Sequence, residues 1–287
     1  MIEVSNLSEL YHKGQDNIWD GRDYLKQCLE KHGDVSLNVS PEQITAIQNI
    51  FGIILWGELA AWKISSALAL KLQDDEARMA ATSQAHDEAR HFYVMKDYLK
   101  LLGEVPEDSN EYAMEFLDSI LNTNSVAKML LGMQMMVEPM ALTLFKIVRE
   151  NNIEPVLSEL LLMYEKDEAR HVALGTIYLP ELMNKMTKVQ KADLLVWQFL
   201  GYMKQFEMVR SLKKDFVALG IDPREVFEAG RKKQVKAMKT LSKGLGREYP
   251  FMNEMLKIID MRGEIDFPKE STKFVEKMRN VFETAVK

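Results

Sequence analysis

The chain has 287 residues, with 37 Lys and Arg against 43 Asp and Glu, a net charge of −6 and one cysteine. A single cysteine excludes a disulfide within the chain, and the net negative charge gives no electrostatic reason to expect a nucleic-acid partner. Only 8 prolines and 14 glycines interrupt the sequence, which favours an all-α protein. The opening residues, MIEVSNLSELYHKG, lack the basic and apolar segments of a secretory signal, so we expect a cytoplasmic protein.

The first half of the chain predicts helices separated by short turns. Residues 6–34 predict one or two short helices. A long helix is expected over 41–72, after a cap at Ser40, and a second over 76–102. Residues 104–124 then read as a loop and a short helix, a segment long enough to cross from one end of a helical bundle to the other.

Two further long helices are expected over 126–150 and 156–183, the second broken locally by Pro180. The helix over 126–150 is the most apolar in the chain, but three charged residues interrupt it. We therefore expect it to be buried within a bundle and not to span a membrane. The interrupting residues are Lys128, Glu138 and Lys146.

The last 100 residues have a different pattern. An amphipathic helix is expected over 194–219, another starts at Pro223, and the tail over 248–287 predicts two shorter helices. We expect one domain over 1–287, with a core bundle over about 41–184 and a helical appendage over 187–287. We expect this appendage to cover the site, to form a dimer interface or to dock a partner.

The sequence Asp-Glu-Ala-Arg-His occurs twice, at 87–91 and at 167–171, 80 positions apart. Residues three apart on a helix share a face, so Glu88 with His91, and Glu168 with His171, each direct two potential ligand atoms to one side. Two such pairs indicate two metal ions.

The same offset of 80 positions relates Glu58 to Glu138, and each lies 30 residues before the glutamate of its own Glu-x-x-His pair. A separation of 30 residues fits two antiparallel helices joined by a tight turn. The turns are expected near Asp74 and Pro155, residues suited to helix starts. Both ligands of each hairpin then lie at one level of the bundle.

These residues resemble the ligand pattern of the ferritin-like di-iron and di-manganese carboxylate superfamily. The resemblance covers about 58–180. It implies an all-α, ferritin-like four-helix bundle with a long crossover, to which this chain adds N- and C-terminal helices. Its metal ligands would be Glu58, Glu88, His91, Glu138, Glu168 and His171.

The resemblance also implies roles for these residues. Glu88 and Glu168 are the expected bridges between two ions, with Glu58 and His91 on one ion, and Glu138 and His171 on the other. Carboxylates and imidazoles suit Fe(II) and Mn(II). We expect two iron ions, with Mn/Fe or Mn/Mn pairs as alternatives.

The aspartate before each motif glutamate is expected to support a metal-bound imidazole, because such an imidazole usually donates its other N–H to a carboxylate. In the superfamily this is commonly the histidine of the opposite repeat. Asp87 is therefore paired with His171, and Asp167 with His91. The two motif arginines would bind these aspartates or stabilise the charge of the cluster, and the alternative is that they form ordinary ion pairs. They are Arg90 and Arg170.

The doubled motif looks most like the oxygen-activating branch, which includes the ribonucleotide reductase small subunit, desaturases and monooxygenases. The radical-bearing subunit would have a tyrosine where this chain has Met95. The related ligand-binding oxidases would have valine and tyrosine at Ala60 and Met133, so we expect no ether crosslink. The aryl-amine oxygenases would have a histidine at Tyr164.

Desaturases and methane-type hydroxylases place a threonine at positions that Ala141 and Leu142 occupy here. Thr143 is one position late, and is the one candidate for a catalytic residue. Weak signals for an apolar substrate cavity come from a stripe of methionines and from Phe92, Ala141 and Leu174. The methionines, which are more simply core residues, are Met129, Met133, Met136 and Met140.

These features favour a di-iron oxygenase or oxidase that uses O₂, an external electron donor or reductase, and a small apolar or aromatic organic substrate. We expect a homodimer. The alternatives are a ferroxidase, metal-storage or peroxide-detoxifying protein, and a radical or redox subunit. An apolar cavity beside the metals would favour the first function, and a narrow polar channel would favour metal handling.

Overall fold

The computed structural model describes residues 6–35, 39–107, 110–245, 250–268 and 284. These residues form an all-α protein, as predicted, and contain no β-strand. Its helices are α1 (Leu7–Asp16), α2 (Gly21–His32), α3 (Pro41–Lys71), α4 (Asp75–Leu102), α5 (Glu111–Leu121), α6 (Val126–Gly132), α7 (Glu138–Glu150), α8 (Pro155–Asn184), α9 (Lys188–Ser211), α10 (Lys213–Ala218), α11 (Pro223–Leu245) and α12 (Pro250–Asp266).

The first bundle hairpin, α3 and α4, has strong local start signals. Ser40 and Gln43 form a reciprocal capping box at the start of α3, where Pro41 occupies the first helical turn. The Asp74 carboxylate accepts the backbone N–H of Ala77 at the start of α4. Each cap satisfies backbone donors that the helix itself leaves unpaired, so both helix starts follow from the sequence.

The second hairpin differs from the prediction of an uninterrupted third helix. A five-residue π-helical segment, Met133–Val137, separates α6 from α7. Pro139 lies one residue inside α7. Proline has no N–H and its ring clashes with the carbonyl four residues earlier, so the wider π turn relieves a contact that a regular helix would not tolerate. The π segment therefore sets the direction in which Glu138 points.

The predicted break at Pro180 was wrong, because α8 continues through this residue to Asn184. Pro180 lies close to the end of the helix, where the loss of one backbone hydrogen bond has little effect on the turns before it. Leu179 and Met183 are buried on either side, so packing against the bundle keeps the last turn helical.

The terminal helices complete the structure around the bundle of α3, α4, α6 to α7, and α8. The predicted helix over 194–219 begins earlier, at a capping box of Thr187 and Gln190, and is divided into α9 and α10 near Leu212. The predicted helix after α12 falls almost entirely outside the described residues.

Two helices, Pro41–Lys71 and Val126–Glu150, are long and apolar enough to cross a membrane by length and composition alone. Buried core helices pass the same test. The most apolar window of the second helix is 67% buried, and the helices carry Glu58 and Glu138 into the centre of the bundle. These positions fit core helices, and the absence of a membrane span stays a prediction.

The connection between α7 and α8 contains a buried charge that stabilises the fold. Glu154 is fully buried, and its carboxylate accepts the backbone N–H groups of Val156 at 3.1 Å and Leu157 at 2.7 Å. The Tyr98 hydroxyl donates to the same carboxylate at 3.0 Å. The start of α8 is thus fixed to α4.

We predict that Glu154→Ala lowers the free energy of unfolding by about 1–3 kcal/mol, because it removes a helix cap and leaves the buried Tyr98 hydroxyl without an acceptor. Urea denaturation followed by circular dichroism measures the change. Glu154→Gln, which keeps one acceptor oxygen, should lose less. Equal midpoints for wild type and Glu154→Ala would contradict this assignment.

Candidate metal centre

The structure brings the six predicted ligand residues together in the middle of the bundle. They form two groups in which one ligand atom from each residue lies within 4.8 Å of the others. Glu88 and Glu168 belong to both groups. The groups, called here the His91 position and the His171 position, are Glu58, Glu88, His91 and Glu168, and Glu88, Glu138, Glu168 and His171.

Both imidazoles turn one nitrogen toward the glutamates and the other toward an aspartate. His91 Nε2 lies 3.1 Å from Asp167 Oδ2, and His171 Nε2 lies 3.3 Å from Asp87 Oδ2. Protonated Nε2 atoms would donate to these carboxylates and leave both Nδ1 atoms as ligands. His91 Nδ1 lies 3.1 Å from Glu168 Oε1, and His171 Nδ1 lies 2.8 Å from Glu168 Oε2.

The cluster contains more buried negative charge than its own side chains can neutralise. All four glutamates are between 0% and 5% exposed. Burial raises the pKa of Glu58 and of Glu138 well above the usual range. Burial opposes the charge on His91, but its hydrogen bond to Asp167 and the nearby glutamate carboxylates raise its pKa well above the usual value. In the protein alone, protons therefore occupy a site whose donors suit cations.

Two buried atoms show where a cation fits. Glu88 Oε2 and His91 Nδ1 are both buried and have no hydrogen-bond partner. Uncompensated polar atoms of this kind are rare in protein interiors and call for an explanation. Oxygen and nitrogen donors without thiolates are suited to Fe(II) or Mn(II). The residues therefore fit a pair of divalent ions.

A ring of alternating charges lies beside the cluster. Arg90 donates to Asp87 at 2.6 Å and to Asp167 at 2.8 Å, and Arg170 donates to the same two aspartates at 2.9 and 2.7 Å. All four side chains are buried. Burial opposes ionisation of the aspartates, but hydrogen bonds from the histidines and the charge of the arginines lower the pKa of both. The two arginines thus neutralise the two aspartates, and neither arginine forms an ion pair with a glutamate of the cluster.

Trp19, which lies between α1 and α2, contacts the site but was not among the predicted site residues. Its indole N–H donates to Asp167 Oδ2 at 2.8 Å, and its ring lies against the Arg90 guanidinium at 4.7 Å. Trp19 therefore closes the ring of charges on its outer side. The residue had no motif around it that could have indicated this role.

Two buried glutamines at the cluster, Gln84 and Gln134, were also not among the predicted site residues. The Gln84 amide nitrogen donates to Glu88 Oε1 at 3.0 Å and to Glu138 Oε1 at 2.9 Å. Gln134 donates to Gln84 Oε1 at 3.0 Å. The internal repeat offered a signal for Gln84. The equivalent position 80 residues later is Tyr164, so the two halves of the repeat differ one helical turn before a cluster glutamate.

An apolar cavity of about 90 Å³, partly open to solvent, extends from the cluster. Glu58, Glu138 and Glu168 form one end. Helices from the bundle, the crossover and the C-terminal appendage supply the walls. Representative wall residues are Ile54, Phe116, Met133, Leu144, Val209 and Phe216.

The predicted cavity residues divide into two sets. Ala141 and two of the methionines line the cavity, and so does Thr143, the candidate catalytic residue. Phe92 and Leu174 do not line it. The Thr143 hydroxyl donates to the Pro139 carbonyl at 2.7 Å. The two methionines are Met133 and Met140.

Solved structures with this fold include oxidases with two metals. A Mn/Fe form of an R2-like ligand-binding oxidase is 17% identical, with a TM-score of 0.67, over 83% of this chain and 95% of that one. An Fe/Fe form gives a TM-score of 0.66 at 17% identity, over 83% and 94% of the two chains. A Synechococcus protein with aldehyde deformylating oxidase activity gives 0.58 at 16%, over 85% and 98%. No family model and no curated protein matches the chain.

These likenesses show the ferritin-like fold that the sequence predicted, over nearly the whole length of the solved structures. At this level of identity they carry no residue roles to the present chain. The roles of its own clustered side chains therefore rest on their geometry.

We predict that Asp167→Asn lowers the free energy of unfolding of the metal-free protein by about 3–5 kcal/mol, because it leaves two buried arginines with one carboxylate between them. Thermal and urea denaturation measure this change. Asp193→Asn is the matched control, since Asp193 forms an ion pair with Lys128 and is 62% exposed, and such pairs contribute about 0–1 kcal/mol. Equal losses in the two variants would contradict the prediction.

Proposed function

We propose that this protein is a non-haem di-iron oxygenase or oxidase that activates O₂ and oxidises a small apolar organic substrate. The observation that carries the proposal is the apolar cavity that ends on Glu58, Glu138 and Glu168. A metal-handling protein needs a polar route to its site. A cavity walled by aliphatic and aromatic side chains instead suits an organic molecule placed next to the reacting centre.

The proposed ligands are the six clustered residues, with Glu88 and Glu168 shared between two ions. A reduced iron pair, when bound, supplies electrons to O₂ and so provides the oxidative chemistry. Iron at both positions is our first proposal, and Mn/Fe or Mn/Mn pairs are alternatives that the same ligands accommodate. The electrons come from an external donor or reductase.

The protein's own residues control access, orientation and charge. The apolar walls exclude water from the end of the cavity formed by Glu58 and Glu138, which strengthens the electrostatic effect of every charge there. Thr143 is the cavity hydroxyl nearest in sequence to Glu138. We propose that it orients a substrate or moves a proton. Asp87 and Asp167 hold the two imidazoles in one tautomer.

Ferroxidase activity, metal storage and peroxide detoxification remain the alternatives, and the apolar character of the cavity disfavours them. A radical-generating or redox subunit is disfavoured because Met95 stands where a radical tyrosine would lie and has no phenol to oxidise. We further propose a single-domain, cytoplasmic homodimer. Exposed Val196 and Leu200 on α9 support a subunit contact, and light scattering tests it.

We predict that the purified protein, loaded anaerobically with Fe(II), binds about two ions per chain, as four carboxylates and two histidines do in this fold. Exposure to O₂ should then consume oxygen and change the Mössbauer spectrum from ferrous to ferric. Glu168→Ala, which removes a ligand shared by both positions, should abolish paired binding. Glu165→Ala is the matched control, because Glu165 pairs with Arg149 outside the cluster at 2.9 Å.

Binding of one ion or none by the wild type would exclude a dinuclear centre. The ferroxidase alternative would be favoured by a different result. In that case the protein binds two ions and takes up oxygen, but it deposits iron as a mineral and oxidises no apolar compound. Oxidation of an apolar compound at the expense of O₂ supports the proposed function.

The cavity can be tested separately through Gly57, which lines it and where an added Cβ would meet no atom within 4 Å. We predict that Gly57→Leu fills the cavity and abolishes binding of the apolar fluorophore 1-aminoanthracene, while metal binding is kept. Gly57→Ala is the control. It should still bind the fluorophore and be more stable by about 0.5–1 kcal/mol, because alanine favours a helix. Unchanged fluorophore binding by Gly57→Leu would show that this cavity is not the ligand site.

A further inference from the structure

The two halves of the internal repeat differ at the position four residues before each cluster glutamate. Before Glu88 this residue is Gln84, and before Glu168 it is Tyr164. The position before Glu138 is Gln134, and the position before Glu58 is Ile54. Each of these residues lies one helical turn from its glutamate. Gln84 and Gln134 therefore precede two glutamates of the His171 position. Tyr164 and Ile54 precede two glutamates of the His91 position.

The carboxylate oxygens that accept hydrogen bonds from Gln84 are those that face His171. Its amide nitrogen donates to Glu138 Oε1 and to Glu88 Oε1. Glu88 Oε1 is the oxygen 3.1 Å from His171 Nδ1, whereas Glu88 Oε2 is the one nearer His91, at 3.7 Å. Both amide hydrogens are therefore committed to the same side of the cluster.

Gln134 fixes the orientation of the Gln84 amide. It donates to Gln84 Oε1 at 3.0 Å, which leaves the Gln84 nitrogen facing the two carboxylates. The opposite orientation would place the amide oxygen against two carboxylate oxygens and is repulsive. Both glutamines are at most 1% exposed, so water does not compete for these hydrogen bonds. The pair is a rigid donor aimed at the carboxylates.

The His91 position has no such donor from the equivalent residue. Tyr164 stacks on the His91 ring, with ring centres 4.2 Å apart. Its hydroxyl donates to the His91 backbone carbonyl at 2.7 Å, so its single hydrogen is not directed at a carboxylate. Ile54, the counterpart of Gln134, lines the apolar cavity.

We propose that Gln84, held by Gln134, is a positioning residue for the second metal ion, the one at the His171 position. Its amide hydrogens hold Glu138 Oε1 and Glu88 Oε1 on the side of the cluster that faces His171. Both carboxylates would thereby be oriented toward an ion at this position. The two metal positions are therefore inequivalent, and the glutamine pair controls occupancy of only one. This inference rests on the dinuclear centre of the proposed function.

The test is an anaerobic titration of the full-length protein with Mn(II). Calorimetry measures the affinity for each ion, and electron paramagnetic resonance distinguishes an isolated ion from a coupled pair. We expect the wild type to bind two ions and to give the signal of a coupled pair. Gln84→Leu should weaken binding of the second ion by about 10- to 100-fold, the usual effect of removing a residue that orients a ligand. One equivalent of Mn(II) should still bind and give an isolated-ion signal.

Tyr164→Phe is the matched control from the equivalent position of the repeat, and it should retain the coupled pair. Gln134→Leu leaves Gln84 in place but removes its support. We expect a smaller loss at the second ion, and this variant decides the question if Gln84→Leu does not fold.

Three outcomes separate the claims. If Gln84→Leu and Gln134→Leu both bind two Mn(II) ions with the affinities of the wild type, the role of the glutamines is overturned and the proposed function stays intact. Equal weakening of both ions in the glutamine variants would also overturn it, because it would show a general structural effect. A wild type that binds fewer than two ions would remove the dinuclear centre itself, and with it the inference.

Discussion

The burial of four carboxylates at one level of a helical bundle is the constraint on which the structure depends. Charges of one sign in a dry interior repel strongly and lack the hydration they have in water. The two nearby arginines do not relieve this repulsion, since Arg90 and Arg170 are bonded to Asp87 and Asp167. Only protons or bound cations can neutralise the glutamates. The long helices α3 and α8, of 31 and 30 residues, provide the rigid frame that holds the carboxylates together.

The internal repeat supplies this frame. The positions at which the two halves carry different residues determine the polarity and hydrogen bonding around the cluster. Matched hairpins place equivalent glutamates and histidines around a common centre. Ile54 lines the cavity, whereas its counterpart in the other repeat, Gln134, donates to Gln84 beside Glu138. Hydrogen bonds from buried amides therefore hold carboxylates in one half of the site and have no counterpart at the equivalent positions of the other half.

The sequence predicted the helical class, the two hairpins and the residues that meet at the centre, because helical spacing and caps are local properties. It did not predict the π segment, since the effect of Pro139 depends on how the neighbouring helices pack. The break expected at Pro180 was wrong for the same reason. Trp19 and Asp167 are 148 positions apart, and no local pattern links them. The cavity was also beyond prediction in detail, because separate helices contribute its walls.

The C-terminal helices also have a consequence for the order in which the molecule is assembled on the ribosome. His171, the last residue of the cluster, is synthesised well before Val209 and Phe216, which complete the cavity wall. All the cluster residues therefore leave the ribosome before the residues of α9 and α10 that complete the cavity wall.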